Sequence, residues 1–240
     1  SARPIQEALA DPDDYYWYIE QYLLEVESRL EAGTIVSAAF CFAAGIVSFA
    51  GAFNEEKMAV REMAEMGMLI AVAIVLDVIF HLIPNVPGQA GSISIATLPL
   101  YLIALRHGPV KGFMASSFVY GIITCLTDGY GLWLYPLDYF VGFAGIAIIG
   151  LFKDHIFGEN QTGYNFKGEL FIFLSVMLSA VVRIVGSGAS SILNYNYSFA
   201  AAFEANIIYV GVSALICAAI MMGLYGYLIK INKAFPVKKA

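Results

Sequence analysis

Seven apolar runs, each separated from the next by charged, Pro or Gly residues, set the main constraint on this chain: 34–53, 66–83, 93–105, 111–126, 132–152, 170–185 and 206–229. A helix needs about 20 apolar residues to cross a bilayer. The runs therefore predict an all-α integral membrane protein of seven spans, give or take one, with the shorter runs extending into polar flanks or sitting in a thinned bilayer. Composition agrees. The chain is 60% hydrophobic and 13% charged, with a mean hydropathy of +0.73, whereas a soluble domain carries about 25% charged residues. Cytoplasmic enzymes, secreted domains and free nucleic-acid binders are excluded.

The net charge of −6 is concentrated in residues 1–32, where eight acids face Arg3 and Arg29. The remainder is balanced and holds no basic patch for a nucleic-acid backbone. Segment 1–32 lacks the basic-then-apolar order of a signal peptide and reads as a polar, aromatic, helical lead-in. Cys41, Cys125 and Cys217 lie in apolar stretches with no partner at ligand spacing, which makes them small core hydrophobes. Arg106 with Lys111, Lys153 with Lys167, and Lys230, Lys233, Lys238 and Lys239 all fall at one end of the predicted spans. The excess of Lys and Arg on cytoplasmic loops puts that end and the C terminus in the cytoplasm. If 34–53 crosses, the acidic N terminus is extracellular.

Polar and aromatic residues collect on the opposite side: Gln89, Trp133, Tyr135, Asp138, Tyr139, Ser187, Tyr195, Glu204 and Asn206. Polar groups in so apolar a setting need partners, which a ligand pocket supplies. The aromatic residues are equally explained as anchors at the membrane interface. Asp138 follows Pro136 near a helix start, where the helix dipole, a cationic ligand or Arg183 would stabilise it. Glu204 is a ligand contact or a solvated acid, and Asn206 a ligand contact or a helix cap. Asp77 and His81, four apart, form a local polar pair or a proton relay. Gly67 and Ala71 give a small-residue strip that lets another helix approach. No nucleotide loop, metal-ligand cluster or paired nucleophile and base is present, so no cofactor is implied and any ATP hydrolysis belongs to partners.

Four pieces carry a specific resemblance: Leu82-Ile83-Pro84-Asn85; Gly91-Ser92-Ile93-Ser94-Ile95 leading to Leu98-Pro99; Leu105-Arg106-His107-Gly108 with Lys111-Gly112; and Pro136-Leu137-Asp138-Tyr139 running on to Gly150-Leu151-Phe152. Over 61–235 the chain resembles the substrate-binding S components of energy-coupling factor vitamin transporters, and the thiamine-specific ones in particular. The resemblance implies a six-helix bundle that captures a vitamin from outside, here thiamine or a related small vitamin or precursor. It implies two cytoplasmic ATPases and a transmembrane coupling subunit that packs on Gly67 and Ala71. The family acid that contacts thiamine falls on Asp138 and its Asn on Asn206, whereas Ser187 and a position near Ala201 stand where the family has His and Tyr. The resulting division is an acidic segment 1–32, an additional span and loop 33–60, the binding domain 61–235 and a tail 236–240. A proton-coupled secondary transporter and, further off, a membrane enzyme are the competing readings.

Overall fold

The computed structural model describes residues 60–81, 91–129, 131–158 and 165–235, together with Leu24. Apart from Leu24 and Val60, the acidic segment 1–32 and the additional span 33–60 lie outside the described residues, as does the tail 236–240.

Among the described residues every regular element is helical, and there is no strand. Helix α1 is Val60–His81, α2 Leu98–His107, α3 Pro109–Asp128 and α4 Leu132–Leu151. A short α5, Lys153–Phe157, follows, then α6, Phe166–Tyr195, and α7, Phe199–Ala234. Helices α1, α3, α4, α6 and α7 are each long and apolar enough to cross a membrane. This is a multi-pass, all-α membrane bundle, as the apolar runs predict. Successive columns run up and down, so that Glu62, Arg106, Lys111 and Lys153 meet at one end, called here the basic end. The opposite end carries Asp77, Asp128, Asp138 and Asn206.

The run 93–105 predicts a full span, but its helix begins only at Leu98 and residues 91–97 are unwound. Serine chemistry explains the difference. Ser94 N–H donates to Ser213 Oγ at 3.0 Å, and Ser94 Oγ accepts from Ala96 N–H at 3.0 Å, so side chains replace the helical partners of this backbone. Pro99 then sits in the first turn of α2, where its missing N–H costs nothing.

Helices α3 and α4 each contain a widened, π-helical segment, Met114–Tyr120 and Tyr135–Val141. Such turns free backbone groups that need other partners, and side chains supply some of them. Tyr135 O–H donates to the Ser117 carbonyl at 2.9 Å, and Ser116 Oγ–H to the Phe143 carbonyl at 3.1 Å. Phe113, Phe118 and Phe140 pack edge to face between the two segments, 5.1–5.8 Å apart, a geometry that suits the ring quadrupoles.

Close packing rests on small residues. A Cβ on Gly186 of α6 would stand 2.8 Å from the Leu137 carbonyl oxygen, and one on Gly145 of α4 would stand 2.9 Å from the Ser179 carbonyl oxygen. The backbone of α4 thus lies directly on α6, and Asp138 is fixed beside the contact. Cys125 and Cys217 are buried and free, while Cys41 lies outside the described residues. In contrast, Gly67 and Ala71 are exposed on α1, whose buried stripe is Met66, Ile70 and Ala73.

At the basic end, Arg106 makes a two-point pair with Glu65 through Nε–Oε1 and Nη2–Oε2, and Lys111 pairs with Glu62 at 3.2 Å. Lys153 Nζ donates to the Arg106 carbonyl at 2.6 Å. Burial pushes the Lys153 ammonium pKa below its ordinary value.

Two outcomes are expected from this packing. Gly186→Leu lowers the thermal stability of the purified protein by about 1–3 kcal/mol, the usual cost of overpacking. Arg106→Ala destabilises more than Lys111→Ala, by about 3–5 kcal/mol against a smaller loss, because it strands Glu65 beside the buried His107. Melting curves in detergent of the three variants check both.

Candidate functional site

A cavity of about 320 Å³ opens at the end opposite the basic one, within the size range of small-molecule sites. Its wall is drawn from α1, the unwound 91–97 segment, α3, α4, α6 and α7. The local folding described above delivers these groups: the π-helical turn of α4 carries Asp138 and Tyr139, and the glycine contact at Gly186 holds that turn against Ser187 and Ser190 of α6.

Asp138, Tyr139, Ser187, Tyr195 and Asn206, all singled out from sequence, line this cavity together. Asp138 is half-buried, and its Oδ2 accepts a hydrogen bond from Ser190 Oγ at 2.7 Å; Asn194 Nδ2 in turn donates to Ser190 Oγ at 3.0 Å. Asn206 is 1% exposed. Its Nδ2 donates to the Ala202 carbonyl at 2.7 Å, and its Oδ1 accepts from Tyr209 O–H at 2.9 Å. Nδ2 also donates to Ser191 Oγ of α6 at 3.4 Å, so the side chain is locked by α7 and tied to α6, while α7 itself is capped by Ser198, whose side chain accepts from Ala201 N–H.

Three other candidates lie outside the wall. Trp133 sits beyond it, its ring 5.8 Å from that of Tyr195, which in turn neighbours Tyr197 at 6.3 Å. Tyr135 turns its hydroxyl to α3. Glu204 is exposed on α7. Gln89 and most of the loop at 84–92 lie outside the described residues.

The cavity also gathers Asp128, one of the polar residues that the sequence places on this side, together with Tyr120, Thr124, Tyr209 and Ser213, which the linear pattern leaves apart. Asp77 and His81 do form their local contact, His81 Nδ1 lying 3.0 Å from the Asp77 carbonyl oxygen and 3.7 Å from Asp77 Oδ2. The structure adds a third member, because His81 Nε2 is 3.6 Å from Asp128 Oδ1, and Tyr139 O–H donates to Asp128 Oδ2 at 2.7 Å. One ligand atom from each of Asp77, His81 and Asp128 lies within 4.8 Å of the others, a spacing that a divalent cation can use. Two carboxylates on different helices were invisible as a pair in sequence; the Asp128-Gly129 helix end was the available signal.

Arg183 rises from α6 into the wall, yet makes no ion pair with Asp138. Its guanidinium lies 4.9 Å from the Phe143 ring centre and 6.0 Å from that of Tyr209, and its buried Nε has no hydrogen-bond partner. Aromatic faces hold this cation. The cavity therefore joins three carboxylates, one arginine and several tyrosines in an apolar bundle, an arrangement suited to capturing a small cation with aromatic character.

With that geometry in place, comparison with known proteins is decisive. The thiamine transporter protein family matches this sequence over residues 63–233. The chain belongs to that family. A relative, thiamine transporter ThiT of Bacillus subtilis (strain 168), is 28% identical over 186 residues, covering 72% of this chain and 93% of its own length. A solved structure of ThiT from Listeria monocytogenes superposes with a TM-score of 0.55 at 22% identity, covering 73% of this chain and 96% of that one. That likeness establishes the fold that the described helices share.

Asn206→Ala should lower stability by about 1–3 kcal/mol even without ligand, since it leaves Tyr209 O–H unpaired in a buried setting. Glu204→Gln should change neither melting temperature nor ligand affinity. Parallel melting and binding curves for the two variants check this pair of outcomes.

Proposed function

We propose that this chain is the membrane-embedded binding subunit of an energy-coupling factor importer and that it captures thiamine, or a closely related small vitamin or precursor. Asp138 carries the reading. It is a carboxylate in the wall of the cavity, at the position where the resemblance calls for the acid that meets the ligand, and no lysine or arginine among the described residues forms an ion pair with it. Thiamine has a permanently cationic thiazolium ring and an amino-substituted pyrimidine. Such a ligand gains charge complementarity from Asp138 and cation–π attraction of about 0.5–2 kcal/mol from each well-placed aromatic face, and the wall includes the rings of Tyr120, Tyr139, Phe143, Tyr195, Tyr197 and Tyr209. Ser187, where the family has His, is smaller, so Asp138 carries more of the polar recognition. Family membership and the likeness to the Bacillus subtilis thiamine transporter support the same ligand.

The remaining parts of the reading follow from charge and exposure. The basic end faces the cytoplasm, so the cavity opens outward, and if 34–53 crosses the membrane the acidic N-terminal segment lies outside. Gly67 and Ala71, exposed on α1, offer close approach to a transmembrane coupling subunit. Two ATPases bound to that subunit supply the energy, and this chain itself performs no chemistry on its cargo.

Asp138→Asn should weaken binding of labelled thiamine to the purified protein by about tenfold or more, the scale of a charge-assisted hydrogen bond. Unchanged affinity removes Asp138 from the mechanism. In cells, uptake should stop on ATP depletion and survive collapse of the proton gradient; the reverse pattern selects a proton-coupled carrier.

A further inference from the structure

Capture of an organic cation by Asp138 leaves three metal-ligating side chains of the cavity wall without a role: Asp77 and His81 on α1, and Asp128 at the end of α3. Neither Asp77 nor Asp128 forms an ion pair with a lysine or arginine among the described residues, and the basic group that both approach is His81. Two carboxylates on neighbouring helices carry the charge that a doubly charged ion balances.

The hydrogen on His81 decides what fits between them. Nδ1 lies 3.0 Å from the Asp77 carbonyl oxygen, and a carbonyl only accepts, so the neutral ring carries its hydrogen on Nδ1. Nε2 then presents a lone pair, and it faces Asp128 Oδ1 at 3.6 Å. A ring lone pair and a carboxylate are both acceptors, and such a pair repels unless a cation stands between them. A proton would draw the two atoms to about 2.7–2.9 Å, the length of a charge-assisted N–H···O bond. A metal ion would not. Two bonds of about 2.0–2.2 Å meeting at the tetrahedral angle put their far ends about 3.3–3.6 Å apart, which is the spacing seen here. Asp77 supplies the third group, since one ligand atom from each of the three residues lies within 4.8 Å of the others.

The groups around the three are those that hold metal ligands in place. Tyr139 O–H donates to Asp128 Oδ2 at 2.7 Å, which leaves Oδ1 for the His81 side, and the Asp77 carbonyl orients the imidazole. Metal-bound imidazoles and carboxylates depend on such outer partners. The side chains of Asp77 and Asp128 are 17% and 14% exposed, and the cavity is the path by which an ion enters.

We infer that Asp77, His81 and Asp128 bind one divalent transition ion of the Zn²⁺ class, which joins α1 to α3 in the wall of the cavity. One imidazole with two carboxylates suits such an ion, whereas Mg²⁺ and Ca²⁺ take oxygen ligands. Three protein ligands leave a coordination position open to water, or to a nitrogen or hydroxyl of whatever occupies the cavity. Metal loading is measured with no vitamin present and stands apart from the thiamine reading.

The test takes the full chain in detergent, strips it with EDTA, removes the chelator and adds Zn²⁺ alone near neutral pH. Calorimetry should show saturable binding of one Zn²⁺ per chain with a micromolar or tighter Kd. The melting temperature should rise by several degrees at saturation, because the ion binds the folded state, and Mg²⁺ at the same concentration should leave it unchanged. His81→Ala, at a half-exposed position, should abolish the binding. Tyr139→Phe, which removes an outer partner alone, should weaken it about tenfold, and Asp77→Asn should weaken it by more than that. Undiminished Zn²⁺ affinity in both His81→Ala and Asp77→Asn places the ion elsewhere and overturns the inference, as does an absence of saturable binding to the folded, unaltered protein. An equal rise with Mg²⁺ overturns the assignment to a transition ion. A melting temperature that climbs on mild acidification in EDTA, loses that climb in His81→Ala and ignores Zn²⁺ gives the gap to a proton and overturns the metal site.

Discussion

Helices inside a bilayer gain nothing by hiding apolar surface from one another, because lipid tails are as apolar as leucine. What holds this bundle is close contact between backbones where side chains are absent. The contact of α4 with α6 is the decisive case. Gly186 admits the Leu137 carbonyl and Gly145 admits the Ser179 carbonyl, and the α4 and α6 side of the cavity wall takes its position from that fit. Asp138 follows Leu137 in the chain; Ser187 follows Gly186, and Ser190 is one helical turn beyond it. The Asp138–Ser190 hydrogen bond at 2.7 Å is thus a consequence of two glycines, and shape sets the electrostatics rather than the reverse.

Helices α3 and α4 widen where they face each other. Regular turns would carry Tyr135 and Asp138 along a single fixed spiral, whereas the π-helical stretch at Tyr135–Val141 and its counterpart at Met114–Tyr120 add room for the aromatic cluster between them. The backbone groups released are met by Tyr135, Ser116 and Thr124 side chains. Irregular backbone at membrane depth persists only where such partners exist or a cavity is lined, and here both conditions hold.

Much of this was legible in the sequence, for reasons that can be named. Apolar runs and their Pro and Gly breaks report helix positions because the bilayer demands internally satisfied backbones, so six of the seven runs appear as the six columns of the described bundle. Asp138, Tyr139, Ser187, Tyr195 and Asn206 were readable because they interrupt apolar helices at one end. The unwound segment before Leu98 was not, since it depends on a serine partner from α7, Ser213, that lies far along the chain. Nor was the meeting of His81 with Asp128, or the aromatic seat of Arg183, which depends on the order of helices around the bundle. Trp133, Tyr135 and Glu204 share the composition of wall residues, and only the azimuth of each on its helix separates them from it.

Helix α1 is fastened unequally. At the basic end its first turns are pinned by Glu65 to Arg106 and by Glu62 to Lys111, in sites largely closed to solvent. At the other end its ties to α3 include the 3.6 Å approach of a half-exposed His81 to Asp128, a kind of contact worth little in water. Between them a buried stripe of Met66, Ile70 and Ala73 forms the seam. The two ends of α1 therefore answer to different conditions: the basic end is held by carboxylate–cation pairs inside the protein, whereas the contacts of Asp77 and His81 with α3 lie in the cavity wall, so whatever fills the cavity touches the fastening of α1 itself.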